Sequence, residues 1–387
     1  MIIRGGQIYT QGQLMPGHEL ELQGANISAV RPASCAPAEL TLPDELILAP
    51  GFIDLHIHGA RGYDVMDANA EALQAIADTL LEEGVTGFLA TTMTEALPDI
   101  EAALACCYEF RASQRQGATL LGVHLEGPFL SQDYMGAQSG THLRPPNPDL
   151  LQDWLKRFPN LIQLLTLAPE LPGALDFITY AHSQNIRVSI GHTKANFEET
   201  IAGINAGASY ATHLFNAMSG MHHREPGAAA ALLVDDRVTA ELIADGVHVA
   251  PAMLNLALKC KGSERLVLVT DAMRAKCLRA GTYDLGGQNV VVDDEGTARL
   301  ERNGVLAGST LKLNQALNNF QRFTKRPLTK LLAMVTSTPA RLLAGTGTQA
   351  LAGNGVHPGG RADLVVVTEQ VDIIYTIKEG KIVYRAS

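Results

Sequence analysis

Hydrophobic and polar positions along this chain fall into two kinds of pattern. Within residues 51–345, eight apolar, β-rich runs recur: Phe52–His58, Thr86–Thr92, Leu120–Glu126, Leu161–Ala168, Ile186–His192, Ser209–Phe215, Thr239–Asp245 and Leu266–Asp271. Stretches of helical periodicity separate most of them, such as Ala70–Glu83, Asp99–Gln114 and Ala195–Ala206. Strand alternating with helix implies a parallel sheet, and eight units predict a closed (β/α)8, TIM-like barrel. The two ends differ. IIRGGQIYT, GHELELQGANISAV and ELTLPDELILAP at the front, and ADLVVVTEQ, VDIIYTIKEG and KIVYRAS at the back, read as short strands with turns. They are expected to meet in one small β-sandwich domain, 1–50 plus 346–387, beside a barrel domain of 51–345.

The runs end on polar residues: His56-x-His58, Glu126, His192, Thr212-His213, Asp245 (with His248 just beyond) and Asp271. Carboxyl ends of barrel strands point into one mouth, where barrel enzymes place their chemistry. His56 and His58 are two apart, so a strand turns both to the same face. Neutral imidazoles there, joined by His192 and His213, suit Zn, Fe, Ni or Co. Glu126 closes an apolar run, and a buried carboxylate is costly unless paired or coordinated. Asp271 ends the last run, where it fits a general base that takes a proton from water and returns it to a leaving group.

Composition narrows the partners. A chain of 387 residues accommodates a barrel plus a smaller module, with 46% hydrophobic and 18% charged residues. A net charge of −10 argues against nucleic acid. An anionic substrate would need a local cationic pocket, and His222, His223 and Arg224 in HHREPG offer one. The five Cys form no C-x-x-C and read as reduced thiols. No apolar signal region or membrane-length run stands out, so a soluble, cytoplasmic protein is expected, with no membrane partner.

PGFIDLHIHG, GVHLEGPF, SIGHTKA, ATHLFNAMS, HHREPG, IADGVHV, LVTDAM and GVLAGSTL run in order over nearly the whole chain. Through them it resembles the N-acetylglucosamine-6-phosphate deacetylase family of the amidohydrolase superfamily. The resemblance implies hydrolysis of a 2-acetamido group on a 6-phosphorylated sugar, in amino-sugar catabolism, by metal-activated water with Asp271 as base and then acid. It implies metal ligation by Glu126, His192 and His213, because the superfamily's carboxylated Lys is absent: Leu161–Ala168 contains no Lys. With His56 and His58 retained, one or two divalent ions are expected per subunit, zinc first among Zn, Fe, Co, Ni and Mn. Substrate contacts fall to Ala137, Gln138, Asn216, Ala217, His248, Leu306, Ala307 and Gly308. Arg224 is expected to reach the phosphate in the neighbouring subunit of a homodimer. His142, in the nearby Gly140-Thr141-His142, competes with Gln138 for its role. That leaves the C4 epimer, N-acetylgalactosamine 6-phosphate, open as substrate, and another barrel amidohydrolase activity as the wider alternative.

Overall fold

The computed structural model describes residues 1–10, 12–346 and 355–386. Eight parallel strands form one sheet in chain order: β1 (Phe52–Ile57), β2 (Val85–Thr91), β3 (Thr119–Glu126), β4 (Ile162–Leu167), β5 (Arg187–Ile190), β6 (Tyr210–Ala211), β7 (Thr239–Ile243) and β8 (Leu266–Val269). The sheet closes where Asp271 N donates to His56 O at 2.8 Å and His58 N to Ala272 O at 2.8 Å. Helices follow the strands on the outside, including Ala70–Leu81, Leu97–Ser113 and Phe197–Ala206. Their starts are written in the sequence. Asn69 caps the first of these and Asn196 with Glu199 forms a capping box on the third, while Pro98 occupies the first turn of the second.

Side-chain parity explains the two surfaces of the barrel wall. Leu55, Ile57, Val123, Leu125, Leu165 and Leu167 point outward into one core with Ile76, Leu80, Leu104 and Phe177. The alternate positions point inward, and many of them are polar. Thr270 Oγ1 donates to Asp54 Oδ2 at 2.6 Å, and His124 Nε2 meets Thr166 Oγ1 at 2.7 Å. Thr166 Oγ1 in turn meets Thr212 Oγ1 at 2.7 Å. The barrel interior is therefore hydrogen-bonded beneath its mouth.

The strands at both chain ends form a second sheet, ordered Lys381–Arg385, Ile373–Lys378, Leu364–Val367, Leu40–Pro50, Ile2–Thr10, His18–Gln23, Asn26–Pro32. It curls until the Asn26–Pro32 edge meets the segment leading into Leu364–Val367: Ile27 N donates to Gly360 O and Ala362 N to Ala25 O, each at 2.8 Å. Leu48, Leu364 and Val366 face its own core, whereas Ile47, Ala49, Val365 and Val367 face the barrel's. Part of the expected C-terminal portion, 347–354 and 387, lies outside the described residues. A three-stranded sheet (Gly281–Leu285, Gln288–Val292, Ala298–Leu300) enters between β8 and its helix Leu313–Thr324. The sequence reading did not mark it. No described helix is long and apolar enough to cross a membrane.

Candidate active site

Several runs stop earlier than their hydrophobic pattern. β5 ends at Ile190 and β6 at Ala211, because His192 (φ 48°), His213 (φ 30°), Phe215 (φ 81°) and Ala217 (φ 49°) adopt left-handed backbone. Asp271, past β8, does the same (φ 48°). Non-glycine residues held there cost about 1–3 kcal/mol each and concentrate at functional sites. The turns swing His192, His213 and Asp271 over the barrel axis. Gly127 serves the same purpose after Glu126: at φ 87°, an added Cβ would lie 2.1 Å from Thr94 Oγ1.

Two triangles of donor atoms result. In the first, Glu126 Oε1 lies 3.2 Å from both His192 Nε2 and His213 Nε2, which are 3.1 Å apart. In the second, His56 Nε2, His58 Nε2 and Asp271 Oδ1 are separated by 3.2, 3.3 and 3.2 Å. Glu126 Oε2 joins this second group, 3.3 Å from His58 Nε2 and 3.5 Å from His56 Nε2. One carboxylate thus faces both triangles, an oxygen to each.

Tautomers follow from the far side of each ring. His192 Nδ1 faces the Tyr134 carbonyl at 2.9 Å, His58 Nδ1 the Thr91 carbonyl at 3.2 Å and His56 Nδ1 the Glu241 carboxylate at 3.1 Å. Each partner only accepts, so each Nδ1 donates, and in the neutral ring Nε2 turns a lone pair inward. Converging lone pairs and carboxylate oxygens fit a cation and little else. Donors about 2.1 Å from an ion stand roughly 3.0–3.4 Å apart in octahedral or tetrahedral sets, and both triangles have those edges.

Protonation in the cluster is mutual. Burial lowers the His58 imidazole, but Asp271 and Glu126 outweigh it and lift it to about 9. Burial raises the Asp271 carboxyl, yet His56 and His58 hold it down at about 2. A divalent ion competes directly with those imidazole protons.

The donors open into a cavity of about 520 Å³. The amidohydrolase family model matches residues 47–383. An N-acetylglucosamine-6-phosphate deacetylase from Bacillus subtilis (strain 168) is 39% identical over 390 residues, covering 99% of this chain and 97% of the relative. The chain belongs to the N-acetylglucosamine-6-phosphate deacetylase family of amidohydrolases. An N-acetylgalactosamine-6-phosphate deacetylase from Escherichia coli O157:H7 is 36% identical, over 95% of this chain and 94% of its own. Among solved structures, a mutant Mycobacterium smegmatis N-acetyl-D-glucosamine-6-phosphate deacetylase in complex with N-acetyl-D-glucosamine-6-phosphate superposes with TM-score 0.92 at 32% identity, covering 99% of each chain. The Thermotoga maritima enzyme superposes with TM-score 0.89 at 35% identity over the full length of both. Amidohydrolases are metal-dependent hydrolases.

Other family positions fall around the same cavity. Ala137, Asn216, Ala217, His248, Leu306 and Gly308 line it, whereas Ala307 turns into the core of the three-stranded sheet. His248 is held through Nδ1 by Asp245 Oδ2 at 2.6 Å. Asp245 therefore serves as the brace of His248. Gln138 lines the cavity with both polar ends engaged: Nε2 donates to Glu126 Oε2 at 2.9 Å and Oε1 accepts from Thr94 N at 2.7 Å. His142 stays outside the lining. Arg224 stands on an exposed loop with its guanidinium 2.7 Å from His223 Nε2, and no Lys or Arg among the described residues lines the cavity. Sequence reasoning missed Glu241 and the Tyr134 carbonyl. Glu241 left a signal, an acid flanked by Ala240 and Leu242 within an apolar strand.

Proposed function

We propose that this chain hydrolyses N-acetyl-D-glucosamine 6-phosphate to D-glucosamine 6-phosphate and acetate. The observation that carries the reading is the pair of donor triangles sharing Glu126, with Asp271 in one of them, at the floor of the cavity. The Bacillus and Mycobacterium relatives supply the substrate. Glu126, His192 and His213 would hold one divalent ion, and His56, His58 and Asp271, with the second oxygen of Glu126, another. Such ions polarise an amide carbonyl and lower the pKa of water from ~15.7 towards ~7. Zinc suits a His, His, carboxylate set.

Asp271 is ionised at neutral pH because the histidines outweigh its burial. It accepts the proton of the attacking water and delivers it to the amine nitrogen as the C–N bond breaks. Gln138 steadies the Glu126 carboxylate through its amide N–H. His248, braced by Asp245, presents its free Nε2 to the sugar. Asn216 and the Ala217 N–H flank it, while Ala137, Leu306 and Gly308 shape the wall. Among the described residues no cationic side chain lines the cavity, which supports completion by a second copy, whose Arg224 would meet the phosphate across a homodimer. We assign 51–345 to the catalytic domain and 1–50 with 346–387 to the small one.

Acetate release from the 6-phosphates of N-acetylglucosamine and N-acetylgalactosamine, and from both unphosphorylated sugars, tests the reading, with metal content measured alongside. The glucosamine 6-phosphate is expected to have the highest kcat/KM. Preference for the galactosamine epimer would move the assignment to that substrate. Release indifferent to the phosphate would remove the role of Arg224, and no release from any sugar would end the proposal.

A further inference from the structure

Glu241 takes no part in the reaction drawn above, yet it touches both donor triangles. It is fully buried on β7, and it does not line the cavity. Its Oε2 accepts the Nδ1–H of His56 at 3.1 Å and the backbone N–H of His213 at 3.0 Å. His56 belongs to one triangle and His213 to the other. A single oxygen atom is therefore the common anchor of a ring in one group and of the backbone carrying a ring in the other.

Besides these two donors, its buried polar neighbours are the Tyr210 hydroxyl and the His124 imidazole, both held neutral by burial. Among the described residues Glu241 pairs with no Lys or Arg; His56 is its ion-pair partner. Burying a carboxylate so sparsely paired costs several kcal/mol. Glu126, Asp271 and Glu241 bring three negative charges into one buried cluster, and two divalent ions would bring four positive ones.

We propose that Glu241 is a positioning residue that couples the two ion sites. It holds the proton of His56 on Nδ1, so that Nε2 keeps its lone pair turned towards the ions. It also pins the left-handed backbone of His213, whose φ of 30° would relax without a partner for its N–H. A carboxylate behind a metal-binding imidazole raises the basicity of the ring, and loss of such a partner weakens metal binding roughly 10- to 100-fold. Because one oxygen serves both groups, a single substitution is expected to loosen both sites. The inference rests on the two-ion reading given above.

The test uses metal-loaded wild type, Glu241→Gln and Glu241→Leu. Gln keeps the volume and an acceptor oxygen but loses the charge, whereas Leu loses both. Ion content after dialysis, chelator competition and the absorption spectrum of the cobalt-loaded proteins are read beside kcat and KM. Glu241→Leu is expected to bind both ions roughly 10- to 100-fold more weakly, with an altered cobalt spectrum. Glu241→Gln should fall between it and wild type. In both, kcat should drop while KM holds, since Glu241 does not line the cavity. Should the Leu variant not fold, the Gln variant decides alone. Affinities and spectra within twofold of wild type in every folded variant would overturn the inference. A single ion in the wild type would instead defeat the two-ion reading, and the affinity of that ion, through His213, would still judge Glu241.

Discussion

Replacing Asp271 by Asn removes one charge and one proton acceptor while leaving the shape almost unchanged. The turn should survive, because Asn tolerates the left-handed region well. Its backbone bonds, Asp271 N to His56 O at 2.8 Å and Ser309 N to Asp271 O at 2.7 Å, do not involve the side chain. Loss of a positioned acid–base group costs about 10²- to 10⁴-fold, which is roughly 3–5 kcal/mol of barrier. The amine is a poor leaving group unless protonated, so the upper half of that range is expected. The charge has a second effect. Asp271 Oδ1 lies 3.2 Å from His58 Nε2, within the donor group of the second ion, so the substitution takes an anionic ligand away from that ion. The ion of the His56–His58 group should therefore weaken. The ion of Glu126, His192 and His213 should stay, since Asp271 is outside that triangle. Steady-state acetate release with ion content determined on the same sample reads both effects. A kcat within tenfold of wild type, with the Glu126 ion in place, would refute the role of Asp271.

Three further outcomes are expected. Arg224→Ala should raise KM for the phosphosugar about 10²-fold, as charged hydrogen bonds worth roughly 1.5–3 kcal/mol each are lost; an equal loss with the unphosphorylated sugar would place Arg224 elsewhere. Gln138→Leu leaves Glu126 Oε2 and the Thr94 N–H without their partner, so it should cost about 1–3 kcal/mol of stability and weaken ion binding. His142→Ala should do neither, and the reverse ranking in thermal melts and chelator titrations would return the role to His142. In the metal-free protein, His58 has a folded pKa of about 9, above its ordinary 6.5. The stability it contributes is complete below pH 6.5 and is lost as pH rises through 9. Metal binding needs that imidazole deprotonated, so ion affinity moves the opposite way. The gap in melting temperature between loaded and stripped protein should widen from pH 6 to 9, and a gap that narrows would contradict this protonation scheme.

Much of the barrel was legible because its outward positions are mostly apolar. Leu55, Ile57, Leu125 and Leu167 mark their strands wherever the chain turns next. Strand ends were less legible. Ser209–Phe215 reads as one run, yet only Tyr210–Ala211 is strand, because a strained turn at His213 obeys geometry and not hydrophobicity. The donor histidines showed as polar stops on apolar runs. Gln138 showed only as a substrate contact, since its bond to Glu126 joins residues brought together by a loop rather than by a periodic element. Glu241 lay mid-strand, where no ending drew attention to it. The three-stranded sheet after β8 stayed hidden because its strands are short and partly exposed.

The curled sheet of the small domain has a consequence for how the chain becomes a protein. Leu48 pairs with Val366, and the whole barrel is synthesised between them. Leu40–Pro50 therefore emerges early with one hydrogen-bonding edge bare, a template for pairing with other chains. Closing so long a loop is slow. The barrel must bring the two ends together before the last strands can fasten over the first. Chains stopped short of Leu364–Val367 should thus carry the complete set of ion ligands and still aggregate, their weak point being an unlatched seam on the far side of the sequence from the chemistry.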